Sequence, residues 1–351
     1  MKSSNPNKVL FLALSGIGNL VMQLPAISAL KRARPDWHIT VWVAPRGTKA
    51  LAEAQSCIDE VIEMPIRNSF IGHLKTISEL RAASYDTGIV LSPGQLIKSA
   101  AYLYVAGIPV RIGNSYPFRG NTHSSLLLTH AIPEDETLHD IEQNLRLLKP
   151  LNITYDPVPF YSIEIPDVNK QEAQKILQTY NFEQNTSTVG VHAGSAPSFA
   201  WKRWPLERFA EVANKLLEKD ASTRILLFGG KDELVQNKSI QKAINKKFPG
   251  AAHIVSTSLM TTAALLTHCK LLISNDSGLM HIAAASGTQV ISLFGPTSEV
   301  QTGPRGKSSI VVRAPGTSPV YNTELAPNIG TTSHETMLAI TPQMVLSQIP
   351  S

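Results

Sequence analysis

Residues 9–14 read VLFLAL, residues 15–19 read SGIGN, and residues 21–34 read VMQLPAISALKRAR. The first run is apolar at every position, as a strand buried on both faces of a parallel sheet requires. In the third run Val21, Leu24, Ile27 and Leu30 fall near one face of a helix. Pro25 is expected in that helix's first turn or two, where a missing N–H costs least, and Pro35-Asp36 ends it. The glycines between strand and helix allow a tight turn at the carboxyl edge of a sheet, where α/β proteins bind ligands.

The same alternation continues outward. Strands are expected at 39–44, 61–64, 87–91 and 110–112, with helices near 49–55, 71–83 and 97–105. Between 150 and 166 the pattern loosens, with Pro150, Pro157, Pro159 and Pro166 marking a connector rather than a central strand. The second half then restarts. Strands are expected at 188–192, 225–228, 253–255, 271–274 and 290–294, and helices at 205–219, 233–248, 262–268, 278–286 and 342–349. This βαβα order predicts parallel, doubly wound sheets. The expected division is 1–170, 171–335 and a terminal helix in 336–351.

At 351 residues the chain has room for about two domains. With 43% hydrophobic and 17% charged residues, each half can bury a core, which excludes a disordered chain. Cys57 and Cys269 lie far apart and form neither a CxxC pair nor a zinc spacing, as in a reducing compartment. Lys2 and Lys8 before VLFLAL admit a signal peptide. A run leading into SGIGN and an amphipathic segment instead favours a first strand and a cytoplasmic protein. No apolar run approaches the roughly 20 residues of a membrane span.

Charge is uneven. Residues 1–125 hold 13 Lys+Arg against 7 Asp+Glu, and residues 126–175 hold 4 against 9. A basic first half suits an anionic partner such as a phosphorylated lipid or a membrane surface, though a merely solvated surface explains it equally. No basic run carries interleaved aromatics, so nucleic acid is not expected as a partner.

Four further turns carry candidate chemistry. In Asn275-Asp276-Ser277-Gly278-Leu279-Met280-His281, Ser277 or Asp276 can cap a following helix, whose first N–H groups would suit a phosphate. Asp276 repels an anion, so it would hold sugar or ribose hydroxyls or orient His281. In His192-Ala193-Gly194-Ser195 and Trp201-Lys202-Arg203-Trp204-Pro205, two cations beside a helix start point to a bound anion, to which Ser195 can also donate. In Phe228-Gly229-Gly230-Lys231-Asp232-Glu233, a carboxylate one strand along suits ribose hydroxyls; solvated helix-start acids are the alternative. Leu293-Phe294-Gly295-Pro296-Thr297 is a sharp turn expected on the same edge. In the first half, Gly16 and Gly18 lack the third glycine of a dinucleotide fingerprint, whose position holds Val21.

These residues carry a family resemblance. NDSGLMHIAAASGTQVISLFGPTSEVQTGP (275–304) closely resembles the C-terminal signature of glycosyltransferase family 9, the ADP-heptose:lipopolysaccharide heptosyltransferases. VHAGS (191–195) with KRWP (202–205), and LSGIGNLVMQLPAISALKRARP (14–35), are similar to its other motifs. The resemblance implies a GT-B fold: two facing Rossmann-like domains with parallel sheets and a cleft between them, donor in the second, acceptor in the first, and a last helix returning to the first. It also implies inverting, metal-independent transfer from a nucleotide-diphospho-sugar such as ADP-heptose, with no cofactor. The implied acceptor is a lipid-linked or phosphorylated glycan such as lipopolysaccharide, met at the cytoplasmic face of the inner membrane with peripheral contact.

Carried over by motif, Lys202 and Ser195 would hold the diphosphate with the Ser277 and Gly278 amides. Glu233 would bind ribose, Asp276 and His281 would face the donor, and Gly16 and Gly18 would let backbone approach it. The family motif ends in Gly-Asp, with Asp as general base, but here that position is Asn19. A carboxamide cannot accept a proton at neutral pH. Three readings stay open: another base such as Asp276 or His123, a reaction driven by leaving-group departure with Asn19 orienting the hydroxyl, or donor binding without turnover.

Overall fold

The structure is a computed structural model describing residues 7–45, 47–64, 70–94, 96–116, 122–155, 161–180, 187–319 and 332–350. The side chain of His123 lies outside the described set. The chain divides into two compact units, Met1–Val158 and Pro159–Ser351.

In the first unit, strand β1 (Lys8–Ala13) leads to helix α1 (Ile17–Ala33), then β2 (His38–Val43), α2 (Thr48–Glu53), β3 (Glu60–Glu63) and α3 (Phe70–Ala83). After these come β4 (Thr87–Val90), α4 (Leu96–Val105), β5 (Val110–Ser115), β6 (His130–Pro133) and α5 (Asp140–Arg146). The sheet order is β3-β2-β1-β4-β5-β6, and every pairing is parallel. β1 is central, pairing Val9 with Ile39 on one side and Thr87 on the other. That position explains why its apolar run is unbroken: helices cover both faces.

One expectation about α1 is corrected. The helix begins at Ile17, so Pro25 sits in its interior and not in its first turns. Pro25 is buried and cannot donate to the carbonyl four residues back, a cost that burial of the surrounding apolar side chains, such as Leu24, Ala26 and Ile27, offsets.

The second unit repeats the plan: α6 (Asp167–Thr179), β7 (Thr188–His192), α7 (Leu206–Lys219), β8 (Arg224–Phe228), α8 (Leu234–Asn245), β9 (Ala252–Val255), α9 (Leu259–Leu266), β10 (Leu271–Asn275), α10 (Gly278–Ala285), β11 (Gln289–Leu293), α11 (Glu299–Thr302) and β12 (Ser309–Val312). Two short helices, α12 (Glu335–Leu338) and α13 (Pro342–Leu346), close the chain. Its sheet is also parallel, in the order β12-β11-β10-β7-β8-β9.

The unit boundary precedes residue 170 because α6 belongs with α9. Asn169 Nδ2 donates to Thr261 Oγ1 at 3.0 Å, and Thr261 Oγ1 donates to Glu172 at 2.6 Å. Of the last residues, Met337, Ile340 and Val345 lie in the second unit's core, with Trp204 Nε1 donating to the Ile340 carbonyl at 2.9 Å.

In each sheet the chain reverses direction once, between β1 and β4 and between β7 and β10. A doubly wound sheet opens a crevice beyond the carboxyl ends of the strands at that switch point. The SGIGN turn therefore marks one switch point, and the HAGS and NDSG turns together mark the other.

Candidate active site

In the second unit, β7 and β10 deliver two turns that one carboxamide fastens together. Asn275, fully buried, accepts from the Trp204 backbone N–H at 3.0 Å and donates to the Ala193 carbonyl at 2.8 Å. Its amide satisfies backbone groups that the diverging turns leave without strand partners.

Beside it, Lys202 Nζ lies 2.7 Å from Asp276 Oδ2, which also accepts from Thr297 Oγ1 at 2.7 Å. Burial alone would raise the Asp276 carboxyl. The Lys202 ammonium and the two hydrogen bonds outweigh it and hold the group below the usual carboxylate range. Three turns thus meet at one carboxylate: β7–α7 through Lys202, β10–α10 through Asp276 and β11–α11 through Thr297. The last turn is braced by Arg313, whose guanidinium donates to the Gly295 and Thr297 carbonyls and pairs with Glu299. His281, on the first turn of α10, is buried, and burial lowers its imidazole to about 4 despite the neighbouring Asp276. It is neutral at pH 7.

Ser277 is the N-cap residue of α10, yet neither it nor Asp276 caps the helix by a side chain. That corrects the sequence expectation. Asp276 is occupied by Lys202 and Thr297, and the Ser277 hydroxyl is 3.0 Å from His192 Nδ1. Ser277, Gly278 and Leu279 are half-buried, so the first amides of α10 keep the donor capacity that helix starts present to anions.

The Ser195 hydroxyl donates to the Phe199 carbonyl at 2.8 Å and accepts from Arg203 Nε at 3.1 Å. Arg203 Nη2 also donates to the Ser195 carbonyl at 2.7 Å. The two cations at 202 and 203 therefore have partners within the protein. A bound anion is not needed to explain them, although Lys202, 17% exposed, keeps one face toward solvent.

Glu233 stands at the start of α8 and folds back over the end of β8. Its Oε2 accepts from the Gly230 N–H at 2.9 Å, and its Oε1 is 3.4 Å from His192 Nε2. Burial would raise this carboxyl, but His192, Gly230 and Arg203 together lower it. The seat exists because Gly194 has no side chain: a Cβ there would sit 1.4 Å from Glu233 Oε1.

His192 and Asn275 are contributions that the sequence reading quoted within motifs without giving them a role. Each is the final residue of a buried strand at the switch point, the position where a polar side chain is most costly without a task.

In the first unit, Gly16 is the N-cap of α1, and Gly18 and Asn19 lie in its first turn, all half-buried. No acidic residue occupies that turn. Gln23 Nε2 donates to the Ser92 carbonyl at 3.0 Å, and Asn144 makes paired hydrogen bonds to Ser92 N and O at 2.8 and 2.9 Å. These amides fix the end of β4 beside the SGIGN turn. Gly16, Gly18 and Asn19 thus belong to one switch point, and Lys202, Glu233, Asp276, Ser277, Gly278 and His281 to the other.

Two parallel doubly wound sheets, each with a glycine-bearing switch point, define an α/β protein of the GT-B class, with Lys202 and Asp276 meeting beside the start of α10. The chain belongs to glycosyltransferase family 9 (heptosyltransferase), whose family model matches residues 73–325, and it is a glycosyltransferase. It is 27% identical over 358 residues to lipopolysaccharide heptosyltransferase 2 of Escherichia coli K12, covering 97% of each chain. The solved structure of the E. coli ADP-heptose LPS heptosyltransferase II matches at 25% identity with a TM-score of 0.76, covering 97% of both chains. The E. coli heptosyltransferase WaaC with ADP matches at 25% identity and a TM-score of 0.69, over 88% of this chain and 94% of that one.

Proposed function

We propose that this protein transfers heptose from ADP-heptose to a lipopolysaccharide-core acceptor by a single inverting displacement that needs no metal. The acceptor oxygen attacks the anomeric carbon, the bond to the diphosphate oxygen breaks, and the acceptor proton passes to a base or to solvent. Charge accumulates on the departing diphosphate. Lys202 and the first amides of α10 supply fixed positive potential where that charge develops. Glu233, in its glycine slot, is the acceptor for ribose hydroxyls. The observation that carries the reading is the meeting of Lys202 with Asp276 at the uncapped start of α10. ADP in the WaaC structure supports the choice of base.

The direct test is release of ADP from ADP-heptose that requires a heptose-deficient lipopolysaccharide core, with the anomeric configuration of the product read by NMR. Transfer with inversion, unchanged by chelator, is expected. Absence of transfer over a panel of nucleotide-sugar donors and core acceptors overturns the proposal. A second reading, donor binding without turnover, is favoured by Asn19 at the place of the expected base. Tight donor binding with no transfer in the same assay would select it.

We also propose that the enzyme meets its acceptor at an anionic cytoplasmic membrane surface through α4. The outward face of α4 is largely apolar: Ile97, Tyr104 and Val105 are exposed, together with Lys98, as is Leu126 nearby in chain order after β5. Arg111 lies over the Tyr104 ring at 5.4 Å, and Arg81 donates to the Val105 carbonyl. An apolar face with a basic rim suits an interfacial site on anionic lipid. Among the described residues no helix is long and apolar enough to cross a membrane.

A further inference from the structure

We infer that His192 is a positioning residue that holds both ends of the donor's nucleotide: it fixes the Glu233 carboxylate for the ribose and withdraws the Ser277 hydroxyl from α10, leaving the helix start open for the diphosphate. The inference rests on the proposed donor site and deepens it. His192 is the last residue of β7, 5% exposed, at the switch point between β7 and β10. Both ring nitrogens are engaged, and they face in opposite directions.

Nε2 lies 3.4 Å from Glu233 Oε1. With the proton on Nε2, the ring donates to a carboxylate that otherwise has one backbone partner, the Gly230 N–H. Gly194 and Gly229 leave the space for this approach: a Cβ at Gly229 would stand 2.9 Å from Glu233 Oε2. Glycine at both positions and histidine at the third build one slot that admits a single carboxylate placement.

Nδ1, unprotonated in that tautomer, accepts from Ser277 Oγ at 3.0 Å. A serine at an N-cap ordinarily accepts from an amide of the first helical turn. Here the backbone of Ser277 is extended (φ −153°, ψ 166°) and no side-chain cap forms. Ser274 Oγ, 3.3 Å from Ser277 Oγ, spends its own proton on the Asn275 carbonyl and does not replace the ring. The bond to the imidazole holds the Ser277 side chain in a rotamer whose oxygen makes no bond to an α10 amide. An uncapped helix start exposes amides that only a ligand or water can satisfy.

The two functions separate by probe. Inorganic pyrophosphate reads the α10 seat alone, and ADP reads the seat and the ribose carboxylate together. By calorimetry on the full chain, His192→Ala is expected to weaken both probes about tenfold or more, because Ser277 becomes free to cap α10. Adding Ser277→Ala to His192→Ala removes that cap, so pyrophosphate affinity is expected to recover while ADP affinity recovers only in part. His192→Gln, whose amide reaches the Nε2 position, is expected to restore ADP binding more than His192→Asn does. In turnover, His192→Ala should raise the donor KM with kcat changed less than about threefold.

The inference is overturned if His192→Gln and His192→Ala bind both probes as the wild type does, if Ser277→Ala fails to rescue pyrophosphate, or if kcat falls while KM stays fixed. Should His192→Ala not fold, the Gln and Asn variants compared with the wild type decide the same question. Failure of the wild type to bind ADP or pyrophosphate would sink the donor site itself, a result distinct from any of these.

Discussion

Lys202 Nζ and Asp276 Oδ2 lie 2.7 Å apart, the lysine 17% exposed and the aspartate 6%. The carboxylate is enclosed and the ammonium is not, so the pair presents its positive end outward. A buried carboxylate tethered to a half-open lysine solves a geometric problem: it points one long, flexible side chain at the start of α10 without an anion present. The attraction is strong enough to overcome the burial of Asp276, whose carboxyl remains ionised well into acid.

Lys202→Ala should therefore cut kcat/KM by about 30- to 1,000-fold, the range of about 2–4 kcal/mol seen when one donor to a developing anion is removed. The variant should fold but be destabilised, because Asp276 keeps Thr297 and loses the Lys202 charge. Unchanged donor affinity by calorimetry together with unchanged kcat/KM would remove Lys202 from the reaction. The pair should also be coupled in stability. Lys202→Met with Asp276→Asn should be less destabilised than the sum of the two single variants, since each single change strands a buried or half-buried charge. Urea midpoints of the four proteins measure this directly.

Acid should act through His281 before it acts through Asp276. The His281 imidazole is lowered from 6.5 to about 4, so below pH 6.5 the unfolded chain binds a proton that the folded chain refuses. Stability then falls with falling pH from about 6.5 down to about 4, by up to about 3 kcal/mol for a shift of this size. Asp276 is also lowered, so its contribution is full above its ordinary range and is lost only at still lower pH. His281→Gln should slope less steeply than the wild type between pH 6.5 and 4, the residual slope belonging to His253, which burial also lowers, and at the acid end to lowered carboxylates such as Glu233. Parallel slopes in the two proteins would place the titrating group elsewhere.

Gly194→Ala should displace Glu233. The added Cβ would fall 1.4 Å from Oε1, a distance no relaxation of the carboxylate within its slot can absorb. Expulsion of the side chain breaks its bonds to Gly230 N–H and His192 and should cost about 1–3 kcal/mol of stability. Affinity for ADP should drop at least tenfold, while inorganic pyrophosphate, which has no ribose, should lose far less. Equal losses for both probes would show that Glu233 does not read the ribose.

Much of the fold is legible in the residues alone, for an identifiable reason. Central strands such as β1, β7 and β10 are covered on both faces, so their apolar runs are unbroken and stand out between glycine turns. Some sheet edges escape notice, and so does α6 (Asp167–Thr179), which buries Ala173 alone and so shows no apolar stripe. β6 (HAIP) and β12 (SIVV) are four-residue edge strands, half-exposed, too short to show a period. α1 starts four residues before its apolar stripe: Ile17, Gly18 and Asn19, all half-buried, already form its first turn. The site is legible as motifs but not as partnerships. Sequence order cannot tell that Ser195 turns inward to Phe199, that Lys202 meets Asp276, or that His192 stands between Glu233 and Ser277, because each pairing crosses from one strand end to another.

The remaining question is what Asn19 does at the first turn of α1. A carboxylate there would be favoured by the positive end of the helix, which would keep it ionised at pH 7 but also make it a weaker base. The carboxamide does not take a proton, and it can still accept a hydrogen bond from an acceptor hydroxyl and orient it. In that case bond breaking to the diphosphate leads and the proton leaves late, to solvent. Asn19→Ala should then lower kcat about tenfold through lost orientation. Asn19→Asp should change kcat by less than about tenfold, because a base gives little to a step in which proton removal lags. A gain of about 100-fold or more on Asn19→Asp would mean the opposite: the native chain would lack its base and would be built to hold the nucleotide-sugar rather than spend it.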